Sequence, residues 1–179
     1  MIADKAGVTP GLIYSRFKKK DDVLPYILKK YLTDHVTRLQ TLFHTYEPSG
    51  SNDVAGRLDI LINHLTDEYK AHKGLIRSIG SRYFSSTPKL GNEELELTTQ
   101  RMLLMVNWIA KGLDDKENST MIAAFVVQTI SIQLQFFVLL DAGQAPLNLV
   151  ESTQNLRHMV RAYIDAQRPK KSRSGSRRK

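Results

Sequence analysis

No cysteine occurs anywhere in the 179 residues. That excludes disulfide bridges and thiolate metal sites, and it favours a cytoplasmic location over an oxidising one. Tryptophan occurs once and aromatic residues make up 8% of the chain, against 41% hydrophobic residues overall. A core is therefore expected to be built mostly from aliphatic side chains. The five histidines, at positions 35, 44, 64, 72 and 158, form no metal-ligand cluster. His64 and Glu68, four residues apart, could share an ion, but surface hydrogen bonding is the commoner use of such a pair. No glycine loop for phosphate and no serine-centred nucleophile turn occurs, since "SIGSRY" lies in a helical pattern with a single glycine. Catalytic residues, metals and cofactors are accordingly not expected. The opening residues are polar and do not read as a secretory signal.

Acidic charge is also scarce, at 18 residues against 26 basic ones, and the net charge of +8 is unevenly spread. Residues 168–179, "RPKKSRSGSRRK", carry +7 and no acid, residues 1–35 carry +3, and residues 36–167 carry −2. The long middle segment is thus not a basic nucleic-acid surface. The tail is expected to be disordered, either solubilising the chain or adding sequence-independent phosphate contacts.

What the chain does hold is a dense signal at its start, "IADKAGVTPGLIYSRFKKKDDVL". Ile2, Ala3 and Ala6 share a helical face and Gly7 suits the turn that ends it. Thr9 reads as an N-cap and Pro10 as the first residue of a second short helix. Two short helices about a tight turn outline a helix-turn-helix. Val8, Ile13 and Phe17 would pack beneath it. Thr9, Pro10, Gly11, Tyr14, Ser15 and Arg16 would occupy the start and outer face of the second helix, the part that enters a major groove. Lys18, Lys19 and Lys20 precede a third helix starting near Asp21, where a phosphate would be welcome.

This stretch resembles the recognition region of TetR-family transcriptional regulators, approximately I-A-x-x-A-G-V-[ST]-x-G-x-[LI]-Y-x-x-F-x-x-K-x-x-L. Ile2, Ala3, Ala6, Gly7, Val8, Thr9, Gly11, Ile13, Tyr14, Phe17 and Lys20 fall in register, with Leu24 one residue past the last position of the pattern. The resemblance covers residues 2–24. It implies an all-helical homodimer with a DNA-binding head and a larger ligand-sensing domain, and operator contacts at Thr9, Gly11, Tyr14, Ser15, Arg16 and Lys20. Family members carry a further helix before the motif, whereas here the motif begins one residue after Met1. The native protein is therefore expected to start upstream, and the chain as written to bind operator DNA poorly.

Beyond the motif the periodicity is helical almost throughout. One helix is expected from about Asp21 to Tyr46, with a mild kink at Pro25, before "EPSGSND" breaks the pattern. Further helices are expected around Val54–Tyr69, around Leu75–Tyr83 and from Leu97 to near Gly112. Residues 121–140, "MIAAFVVQTISIQLQFFVLL", carry no charge and match a bilayer span in length. Their five polar residues, with Gln128, Ser131 and Gln135 in one helical stripe, favour instead a helix buried against its own domain and a second subunit. No membrane segment is expected. A last helix, 147–167, would complete a four-helix dimer interface with 121–140.

The expected architecture is all-α. An incomplete helix-turn-helix head and the start of a connecting helix span 1–35, a helical ligand-sensing and dimerisation domain spans 36–167, and a disordered basic tail spans 168–179. Ligand-site candidates within the bundle are Leu61, His64, Leu65, Tyr69, Arg77 and Tyr83. From the following helices come Arg101, Leu104, Met105, Trp108, Phe125 and Gln128; for most of these, plain core packing is the competing role. The expected function is a ligand-responsive DNA-binding repressor that a small-molecule effector releases from its double-stranded operator. The competing expectation is a dimeric ligand- or partner-binding module whose DNA-binding head does not function.

Overall fold

The computed structural model describes residues 17, 19, 22–50, 53–83, 91–114, 117–139 and 149–167. Among the described residues there are six helices and no strand, so the chain is all-α. They are α1 (Val23–Thr45), α2 (Val54–Ala71), α3 (Lys73–Tyr83), α4 (Asn92–Ala110), α5 (Ser119–Leu139) and α6 (Leu149–Gln167). The chain divides into two units. The first combines residues 1–45 with 82–104, and the second combines 46–81 with 105–179. Helix α1 runs unbroken to Thr45.

In the first unit, the Asp22 carboxylate accepts from the Lys19 N–H at 3.0 Å and so satisfies a donor ahead of α1. Pro25 is the third residue of the helix. Its missing N–H is one of the four that have no intrahelical partner, so no helical hydrogen bond is lost there. Leu28, Tyr31, Leu32, His35, Val36 and Leu39 are buried, the i, i+3, i+4 stripe of an amphipathic helix. Thr33, Thr37, Thr41 and Thr45 follow one another at four-residue spacing on the exposed side. Each hydroxyl donates to the carbonyl four residues earlier, at 3.0–3.1 Å. On α4, Glu93 takes the Lys29 ammonium at 2.6 Å. The Glu94 carboxylate folds back over Gly91 at the helix start, where negative charge suits the helix dipole.

The second unit is organised by α2, α5 and α6, which pack pairwise on one another. Leu58, Leu61, Ile62 and Leu65 of α2, and Ala123, Val126, Val127, Ile130 and Leu134 of α5, are almost wholly buried. Leu156, Val160 and Ile164 come from α6. Each larger aliphatic side chain contributes about 1.5–3 kcal/mol on burial. A polar seam closes the edge between α2 and α6. Asp59 pairs with Arg161 at 2.6 Å and with Arg157 at 3.4 Å, and Arg157 also donates to Asn63.

Gly112 ends α4 as the spacing predicts, with its N–H on the Ile109 carbonyl at 2.9 Å. The reason for glycine there is space. An added Cβ would stand 2.7 Å from Arg57 Cδ and 3.1 Å from the Val54 Cα. Helix α5 alone among the described helices is long and apolar enough to cross a membrane, with mean hydropathy 1.5 over Ser119–Phe137. It buries one face in the second unit. The polar stripe expected along it is split: Gln128 is exposed, Gln135 half-buried and Ser131 buried.

Candidate functional site

Of the opening motif, Thr9, Pro10, Gly11, Tyr14, Ser15, Arg16 and Lys20 all lie outside the described residues, as does the tail from residue 168 on. Phe17 is described. It is half-buried, with its ring edge-on to Tyr26 of α1 at 5.3 Å and 68°. That contact joins Phe17 to the long helix that follows.

The ligand-site candidates separate by environment. Leu61, Leu65 and Met105 have no accessible surface and Tyr69 has 1%. Such side chains fill core volume and meet a ligand only if the core opens. His64, Arg77 and Leu104 are half-buried, and the Tyr83 side chain lies outside those described. Phe125 and Gln128 are exposed on α5, where Phe125 stacks obliquely on Tyr163 of α6 at 4.5 Å. A small cavity among the described residues is lined by Val54, Gly112, Leu113, Asp114, Ile122, Ile164 and Gln167. None of the sequence-expected ligand residues lines it. Among the described residues no group of His, Asp and Glu could hold a metal ion. Glu68 faces His72 Nε2 at 3.6 Å, one helical turn on.

Trp108 belongs to a cluster that the sequence did not disclose. The Arg57 guanidinium lies 5.1 Å from the Trp108 ring centroid and 5.5 Å from that of Tyr46, while its Nη1 donates to the Trp108 carbonyl at 3.1 Å. The Tyr46 hydroxyl donates to Asp53, which caps α2 by accepting from the Gly56 N–H at 3.0 Å and also accepts from the Ser49 N–H at 3.0 Å. The Tyr46 bond, then the two backbone donors, hold the Asp53 carboxyl at about 2, below its ordinary 3.8. Burial, and then the bond to Asp53, push the Tyr46 hydroxyl up. These contacts tie the start of α2 to Tyr46 and Trp108.

Two features remain. On α5, Met121, Phe125, Ile132 and Phe136 are 50–63% accessible, with Gln128 between them, at successive steps close to one helical turn. Val150 and Met159 on α6 are exposed at 65% and 47%. This is a large apolar surface for a helix pair whose other face already fills a core. The second feature is Arg101 on α4, 7% exposed, whose Nε has no acceptor.

Comparison with known proteins gives no matching family model, no matching curated protein and no matching solved structure.

Proposed function

We propose that the chain is a ligand-responsive transcriptional regulator of the TetR type, a homodimer that represses by binding an operator and is released by a small molecule. The observation that carries this is the register of the opening motif. Eleven positions between Ile2 and Lys20 match in residue type and spacing, and the matched types are those a helix-turn-helix needs physically: cap, tight turn, small crossing residue and apolar underside. The exposed apolar side chains of α5 and α6 support a second subunit. Residues 121–140 are uncharged, and a two-fold interface buries the same patch on both partners. Met121, Phe125, Ile132 and Phe136 are the residues it would cover. Dimerisation would then present two recognition helices to two half-sites, and a ligand favouring one dimer geometry would lower operator affinity by linkage.

The test substitutes Tyr14→Ala and Lys20→Ala in the protein isolated from its source cells. Sequence-selective DNA binding should fall at least tenfold in each, with the folded state retained. For Lys20 the salt dependence should also become shallower by about one charge. Unchanged binding would refute the assigned surface.

A further inference from the structure

Arg101 presents a problem in electrostatics. A guanidinium keeps its charge under any physiological condition, and 93% of this residue is withdrawn from solvent. Buried charges are normally paired. Among the described residues, however, Arg101 makes no ion pair or hydrogen bond, and its Nε is sealed from solvent with no acceptor. The acids of its own helix are engaged or turned away. Glu93 holds Lys29 at 2.6 Å. Glu94 folds back over Gly91 at the helix start, and lies about 10 Å from Arg101 along the helix axis. Glu96 is exposed.

The surroundings of Arg101 on α4 have a definite chemistry. Leu97 and Leu104, four residues before and three after, share its side of the helix and are half-buried. Thr98, one turn before it, is half-buried as well. The neighbouring Thr99 turns its hydroxyl onto the Leu95 carbonyl at 2.9 Å, whereas the Thr98 hydroxyl has no acceptor among the described residues. One face of α4 thus offers a planar fork of donors, a hydroxyl donor and apolar flanks.

We propose that Arg101 anchors the acid group of a small organic anion, a monocarboxylate with an apolar body, with Thr98 as the second donor. A carboxylate matches the guanidinium fork with two parallel hydrogen bonds, and the leucines suit the rest of the molecule. That this anion is the effector rests on the regulator reading; that it binds does not.

The experiment measures thermal unfolding of the full chain and of Arg101→Met, which keeps the length of the side chain and removes its charge. The probes are benzoate and hexanoate, their neutral counterparts benzyl alcohol and hexanol, and inorganic phosphate. Without any probe, R101M should unfold at or above the wild-type temperature, because it removes an uncompensated charge. Benzoate or hexanoate should raise the wild-type midpoint more than the matched alcohol does. R101M should bind the carboxylate roughly 10–100-fold more weakly, the loss expected for hydrogen bonds to a charged group, and Thr98→Val should show a smaller loss. A markedly lower midpoint for R101M would mean that a carboxylate of the chain itself pairs with Arg101, and would overturn the proposal. So would equal responses in the two proteins, no response to any probe, or a stronger response to phosphate than to both carboxylates. No DNA enters the assay, so its failure would leave the DNA-binding reading standing, and failure to bind DNA would leave this proposal intact.

Discussion

At the scale of single residues, Tyr46 and Asp53 make the sharpest statement. The Asp53 carboxyl is held at about 2 because its anion accepts from the Tyr46 hydroxyl and two backbone N–H groups. A carboxyl depressed in the folded state stabilises it above the unfolded value of 3.8, and that contribution fades as pH falls through the folded value. Tyr46→Phe should therefore lower stability to urea at neutral pH, with the gap from wild type narrowing between about pH 4 and pH 2. A gap independent of pH would show that the bond is not what depresses the carboxyl. Gly112→Ala should cost about 1–3 kcal/mol in the same assay, since Arg57 Cδ and the Val54 backbone occupy the space a methyl needs. This joint was only half legible beforehand. Asp53 three residues before Gly56, just ahead of an apolar run, is an N-cap signal, yet "EPSGSND" reads most readily as a turn. The contact of Arg57 with the Tyr46 and Trp108 rings joins residues from distant parts of the chain and leaves no trace in local spacing.

At the scale of elements, the helices of the second unit were largely readable, because alternate aliphatic and polar faces repeat at the helical period. The predicted Val54–Tyr69 segment became α2, with Val54, Leu58, Leu61, Ile62, Leu65 and Tyr69 buried as spaced. Helix α5 was readable as a helix but not in its orientation. With no charge along 121–140, nothing in the pattern distinguishes the face that meets α2 and α6 from the opposite one, and the stripe of Gln128, Ser131 and Gln135 does not tell that Ser131 alone of the three is buried. Ile130, fully buried on α5, should cost about 2–5 kcal/mol on truncation to alanine. The threonine row of α1 makes the opposite prediction. Its hydroxyls bond back onto their own helix and its β-branched side chains lose rotamer freedom there. Replacing Thr33, Thr37 or Thr41 by alanine should stabilise the chain by up to about 0.7 kcal/mol each, measured by denaturant midpoint.

At the scale of the whole molecule, two surfaces carry the account: the opening motif and the apolar stripe of α5 with α6. Phe125→Arg or Ile132→Arg, at positions at least half accessible, should shift the protein from dimer to monomer in sedimentation while leaving its helical circular dichroism unchanged. The same variants should lose DNA affinity without touching the motif, because a monomer presents one half-site reader instead of two. The head's residues, Thr9 to Lys20, were legible only as a motif. Their type and spacing are informative because a tight helical turn tolerates few residues at its glycine, cap and proline positions.

The most direct measurement is selection from a random double-stranded DNA pool by the protein isolated from its source cells. The account predicts enrichment of one two-fold symmetric sequence, bound by a dimer and lost on Tyr14→Ala. Recovery of DNA without any preferred sequence, or a preferred sequence unaffected by Tyr14→Ala and Lys20→Ala, would contradict it.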